Sequence, residues 1–223
     1  MNSAVPLKTR ERILATSLQL FNGQGERQVT TNHLAAAMGM SPGNLYYHFK
    51  NKDAIIHALF TRYAERMAAT LTFPDDHPLT QADKANLFER VLTVLWEFRF
   101  LHRDMTHLLE TAELSAPYRA FSLRVLEQLR ELYRAQIAAG MIEADAETID
   151  TLAITIWITA TNWVNFLHTT GLFLDEPRAS GDITEDMLRR GILHVICLEA
   201  PYLRGEAKAG LAALKAHYAK STS

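Results

Sequence analysis

The chain lacks most of what a secreted, membrane-bound or catalytic protein would need. It has one cysteine, Cys197, in 223 residues, so no internal disulfide can form. No apolar run reaches the roughly 18 residues of a bilayer-spanning helix. The opening MNSAVPLKTRER has no apolar leader segment. These absences predict a cytoplasmic protein with no membrane partner. Catalytic signatures are missing too. There is no HExxH, no paired Glu-x-x-His, no GxSxG and no phosphate-binding Walker loop. His107 and Glu110 lie three apart on a helical face, and a solvated or hydrogen-bonded pair explains them better than a metal. Cys197 follows His194 by one turn inside the apolar run Ile192–Leu198, which predicts an inert, buried thiol. The expectation is a non-enzyme with no cofactor and no metal.

What the sequence does have is helical periodicity from end to end, with no run of alternating strand character, repeat or low-complexity tract. The fold class is therefore all-α. Ile13, Leu14, Leu18 and Phe21 mark one face of a first helix, which Gly23 and Gly25 end. Thr30 or Thr31 can cap a second helix, and Gly39 can stop it. Ser41 caps a third, with Pro42 in its tolerant first turn. Asn51 caps a fourth that runs to about Leu71. Pro74, Asp75, Asp76 and Pro78 then form a breaker cluster. Further helices are predicted at about 80–102 and 104–114, from Pro117 to near Gly140, and at 146–169. After a loop from Asp175-Glu176-Pro177 to Gly181 come helices at about 183–199 and 206–219. The domain reading is 1–52 and 53–223, with the helix 53–71 bridging them.

Charge divides along the same line. Residues 1–52 hold six basic side chains (Lys8, Arg10, Arg12, Arg27, Lys50, Lys52) against Glu11 and Glu26, a charge of +4. With a total of −2, the remainder carries −6. A basic head on an acidic body suggests a polyanion partner for the head. Two short helices joined by a glycine turn are the helix-turn-helix pattern, whose second helix enters the DNA major groove. At about 100° per residue, Leu45 and Phe49 share one face of SPGNLYYHFKNK and would pack on Leu34, Ala35 and Met38. Gly43, Asn44 and Tyr47 then point outward, flanked by Tyr46 and His48. Asn44 can pair bidentately with adenine, and Gly43 lets the backbone approach the groove. The two tyrosines, His48, Thr31 and Lys52 suit phosphate oxygens, as do the free N–H groups at the start of the fourth helix.

The run VTTNHLAAAMGMSPGNLYYHFKNKDAII resembles the DNA-binding domain of the TetR family of transcriptional regulators, and TRERILATSLQLFNGQG resembles its first helix. The resemblance covers about residues 8–60. It implies phosphate contacts from Thr31, Tyr46, Tyr47, His48 and Lys52. It implies base-facing positions for Asn32, Pro42, Gly43 and Asn44. Met38 stands where the family frequently has alanine, which implies local repacking. WEFRFLHRDM, residues 96–105, is similar to one branch of the family. The family's architecture implies a bacterial homodimeric repressor on a palindromic double-stranded operator, with a helical body that holds a small-molecule effector.

The body's residues fit that expectation. The 146–169 and 183–199 helices carry more apolar surface than one subunit needs. Ile149, Leu152, Ala153, Ile156, Ala160, Trp163, Val164 and Leu167 form one stripe, extended by Ile154, Trp157, Ile158 and Phe166. A two-fold interface through these helices would cover it. Trp96, Phe100, Phe121, Tyr133, Trp157 and Asn162 are candidates to line a pocket for an apolar or amphipathic ligand, whose entry would move the fourth helix around Met67 and Leu71. Two other readings are a ligand-binding or scaffold protein with a vestigial DNA head, and a helical enzyme. Retention on nonspecific DNA at low salt separates them from a regulator.

Overall fold

A computed structural model describes residues 8–72, 77–172 and 183–219. Among these, the only β-structure is an isolated bridge between Ile142 and Leu203. The expected breakers Pro74–Asp76 and the expected loop from Asp175 to Gly181 lie outside the described residues. The helices are α1 (Thr9–Gln24), α2 (Thr31–Ala37), α3 (Pro42–His48), α4 (Lys52–Thr70), α5 (Gln81–Glu97), α6 (Arg99–Leu108), α7 (Ala112–Ala138), α8 (Ala146–Thr170), α9 (Glu185–Glu199), α10 (Gly205–Ala209) and α11 (Leu211–Ala219). None of them is long and apolar enough to cross a membrane. The packing divides into two compact units. One comprises the chain up to Arg66 together with Glu97–Tyr118; the other comprises Met67–Trp96 together with the chain from Arg119.

The first unit is built on Ile13, Leu14, Phe21, Leu34, Leu45, Ile55, Phe98 and Phe100, each no more than 1% exposed. Leu18, expected on the inner face of α1, is only half-buried, and Ser17 takes the buried place. The predicted 80–102 helix is broken at Phe98, where φ is −108° and ψ 28°. Asn22 explains the break. Its amide nitrogen donates to the Glu97 carbonyl at 2.7 Å, and its amide oxygen accepts from the Phe100 N–H at 3.1 Å. Both backbone groups freed by the corner are thus satisfied. Phe98 is then free to turn inward, with its ring 5.7 Å from that of Tyr63. Burial pushes the Tyr63 hydroxyl well above its ordinary pKa, so it stays neutral there.

Pro117 does not open α7 as the sequence predicts; it lies inside the helix, which begins at Ala112. The bond it forfeits would have gone to the carbonyl of Glu113. Glu113 is exposed, so water can take that carbonyl and the helix runs through.

In the second unit α8 and α9 approach closely at Gly191. A Cβ there would sit 3.0 Å from the Trp163 ring, whose Nε1 donates to the Met187 carbonyl at 2.8 Å. Lys84 of α5 is buried against α7 and α9. Its ammonium donates to Gln136 at 2.7 Å and to Glu199 at 2.6 Å, while the Tyr133 hydroxyl donates to the other Glu199 oxygen at 2.7 Å. Burying an ion pair costs desolvation that only such added hydrogen bonds offset. The pair's geometric effect is to fix three helices in register. Cys197 is exposed, not buried. The inward stripe of α9 is Leu188, Ile192, Val195, Ile196 and Glu199, and position 197 falls on the opposite side.

Candidate nucleic-acid interface

Local chemistry sets the two short helices. Thr30 caps α2, its hydroxyl accepting from the His33 N–H at 3.2 Å while the His33 ring faces the Thr30 N–H at 3.4 Å. Gly39 turns the chain at φ 62°, a conformation that costs an L side chain and suits glycine. Ser41 caps α3 by accepting from the Asn44 N–H at 3.2 Å, and Pro42 occupies the first turn. Leu45 and Phe49 are buried at 0% and 4% exposure, as are Leu34 and Ala35 of α2. Met38 is half-buried.

With Leu45 and Phe49 inward, the opposite face of α3 is in solvent. Pro42, Gly43, Asn44, Tyr46 and Tyr47 are all exposed, and Tyr47 reaches 85%. Asn32 of α2 is exposed as well. Thr31 and Tyr46 share a hydroxyl–hydroxyl hydrogen bond of 2.9 Å, which joins the two helices on their outer side. Tyr47 meets the half-buried His48 edge-on at 5.2 Å. A Cβ at Gly43 would meet nothing nearer than the Ser41 hydroxyl at 4.0 Å. The fold therefore has no steric need for glycine at a helical position where alanine would be about 1 kcal/mol better. An exposed, hydrogen-bonding, sterically bare helix face suits the edges of base pairs.

Asn51 caps α4, accepting from the Ala54 N–H at 2.9 Å. Lys52 is not a free surface cation. Its ammonium lies 2.5 Å from a carboxylate oxygen of Glu26 and donates to the Glu26 carbonyl at 3.2 Å. Glu26 itself is 2% exposed. Asp104 of α6 accepts from the Glu26 N–H at 3.3 Å, and His107 Nε2 stands 3.9 Å from its second carboxylate oxygen. His107 also faces Glu110 at 3.2 Å; no group of three or more metal-ligating side chains occurs among the described residues. Arg103 donates to the Phe21 carbonyl at 2.6 Å. This docking of α6 onto α1 was not visible in the sequence, where nothing singled out Asn22 or Arg103 and Glu26 entered only as a charge.

The six ligand candidates divide between the two units. Phe100 belongs to the first unit, its ring 5.3 Å from Phe21. The other five belong to the second. Phe121 is buried and meets the half-buried Trp157 edge-on at 5.9 Å. Tyr133 is committed to Glu199, and burial, with that carboxylate beside it, raises its pKa. Trp96 is half-buried, and Asn162 is exposed with its amide on the Ile158 carbonyl.

Comparison with known proteins finds one family along most of the chain. The family described as "Bacterial regulatory proteins, tetR family" matches residues 13–59, and the TetR family described as "Bacterial transcriptional repressor" matches residues 62–211. The tetracycline repressor protein class C of Escherichia coli is 44% identical over 50 residues; the match covers 22% of this chain and 23% of that protein. The crystal structure of a TetR-family transcriptional regulator from Marinobacter aquaeolei VT8 is 38% identical, covering 95% of this chain and 99% of its own with a TM-score of 0.84. SmeT, the repressor of the Stenotrophomonas maltophilia multidrug efflux pump SmeDEF, shares the fold at 20% identity, with a TM-score of 0.61 over 90% of this chain and 93% of its own.

Proposed function

Because the chain belongs to the TetR family of bacterial transcriptional regulators, we propose that it is a cytoplasmic, homodimeric repressor that binds a palindromic operator and is released by a small ligand. Residues up to 52 form the reading head, and 53–223 form the regulatory and dimerising body. Asn44, Gly43, Pro42 and Asn32 face the bases; Thr31, Tyr46, Tyr47 and His48 take phosphates. Lys52 has two tasks, since its charge supports the phosphate side while its ammonium holds Glu26. The observation that carries this reading is the outward face of α3, where the bare Gly43, the exposed Asn44 and the 85% exposed Tyr47 are not required by the packing of the chain. The effector is an apolar or amphipathic molecule held in the body, and the Phe121–Trp157 pair is its proposed apolar wall.

Selection of bound fragments from genomic DNA with the full-length protein should enrich one inverted repeat. Asn44→Ala should cost about 1–3 kcal/mol on that site and relax preference at a single base position. Enrichment of no common sequence, or unchanged preference in the variant, would overturn the reading.

A further inference from the structure

Beside the reading helix lies an open groove of about 460 Å³. Its walls include Arg10 of α1, His48 at the end of α3, Lys50, and His57, Thr61 and Arg62 of α4. Resting on the DNA-binding function proposed above, we infer that this groove carries the sugar-phosphate strand flanking the bases that α3 reads, with Arg10, Lys50 and His57 as its phosphate donors.

Position supports this first. His48 is both the last residue of α3 and part of the groove wall. Lys50 follows it by two residues, and His57 lies in the second turn of α4, so the groove continues from the α3 contact. Arg10 is held in place for the task. Its guanidinium stacks 4.7 Å from the centre of the Phe49 ring, and Phe49 is the buried residue that ends α3. The start of α1 is thereby tied to the end of the reading helix, and a stacked guanidinium keeps its donors pointing outward.

Charge along the groove is graded. Arg62 is paired with Glu11, and Glu65 is the carboxylate that lines the far end. Glu65 follows His57 by eight residues, about 12 Å along a helix. The end next to α3 thus presents Arg10, Lys50 and the two histidines without a lining acid, and the far end closes with a neutralised pair and a carboxylate. A polyanion is admitted at one end and stopped at the other. The groove's openness favours a polymer over a small anion, because a small ligand's site usually buries most of the ligand's surface.

The test uses full-length protein on its selected operator, measured against salt. Each phosphate contact contributes about 0.9 to the slope of log affinity against log salt. With two subunits on the operator, Arg10→Gln with Lys50→Gln removes four contacts and should flatten that slope by about 3.6, while leaving base preference inside the half-site unchanged. Lys50→Gln alone keeps the Arg10–Phe49 contact and should flatten it by about 1.8, so a folding defect in the double variant cannot produce the result. Trimming base pairs outside the half-sites should weaken the wild type and leave the double variant unaffected. Equal slopes in wild type and variants, or equal sensitivity to trimming, would overturn the inference while DNA reading stands. Stabilisation of the wild type by inorganic phosphate, with equal slopes, would assign the groove to a small anion instead. A wild type that binds no DNA at all would overturn both readings together.

Discussion

Gly43 separates what the fold needs from what a partner needs. Most residues of α3 can be justified inside the chain: Ser41 caps it, Pro42 starts it, Leu45 and Phe49 bury it. Gly43 cannot, since an added methyl would touch only the Ser41 hydroxyl at 4.0 Å. Gly43→Ala should therefore keep or slightly raise thermal stability, by up to about 1 kcal/mol from helix propensity. It should also weaken operator binding by about 1–3 kcal/mol, the scale of one lost base contact. Titration of operator beside a melting curve checks both halves. A variant that is stable and binds equally well would show that the start of α3 stays clear of the groove. These residues were legible in the sequence because caps, turns and the inward pair act within four or five positions of one another. Asn22 was not legible. Its partners Glu97 and Phe100 lie more than seventy positions away, and no local pattern announces which surface amide will close a distant corner. Lys52 was half legible: its charge was plain, but its attachment to Glu26 depends on where the short 3-10 turn at Glu26–Gln28 sets that carboxylate.

Among the elements, α5, α9 and α11 are joined by one carboxylate. Burial alone would raise the pKa of Glu89, but the Arg189 guanidinium donates to both of its oxygens at 2.8 and 2.9 Å, and Tyr218 donates to it at 2.8 Å. Together with His217 these partners hold the Glu89 carboxyl below its ordinary value of 4.5. A depressed carboxylate stabilises the fold fully above its unfolded pKa and stops doing so as pH falls through the folded one. The contribution is thus complete at pH 7 and fades below about 4.5. Glu89→Gln should lower Tm at pH 7 by about 1–3 °C, as befits a partly exposed ion pair, and the difference from wild type should shrink to nothing in acid. Melting curves from pH 7 to pH 3 read this directly; a constant gap across the range would refute it. The helices themselves were largely visible from periodicity, which reports a face but not its partner. Periodicity could not show that α7 begins before Pro117, because that depends on Glu113 being exposed, nor that Phe98 ends α5.

At the scale of the whole molecule, α8 and α9 have two apolar faces, and the sequence could not say which meets a second subunit. The stripe of Ile149, Leu152, Ala153, Trp163, Val164 and Leu167 is buried within the subunit. Its extension is not: Ile154, Ile158 and Phe166 of α8 and Leu198 of α9 are each 37–54% exposed. Between them runs an open groove of about 480 Å³ that includes Asn162, Trp163 and Cys197. Contiguous exposed apolar surface on two neighbouring helices calls for cover, and a self-complementary patch across a two-fold axis supplies it with no second gene product. Sedimentation at micromolar concentration should therefore give a dimer. Ile158→Glu places a charge in the patch, where each copy would face the other's, and should give monomers whose helical content is unchanged, since residue 158 is outside the subunit's own core. The thiol of Cys197 supplies an independent reading. In the dimer it lies within the covered groove and should react slowly with an alkylating reagent; in Ile158→Glu, or in wild type diluted below its dimerisation constant, it should react at the rate of an exposed cysteine. A monomeric wild type, or an Ile158→Glu dimer with Cys197 equally protected, would move the interface away from α8 and α9.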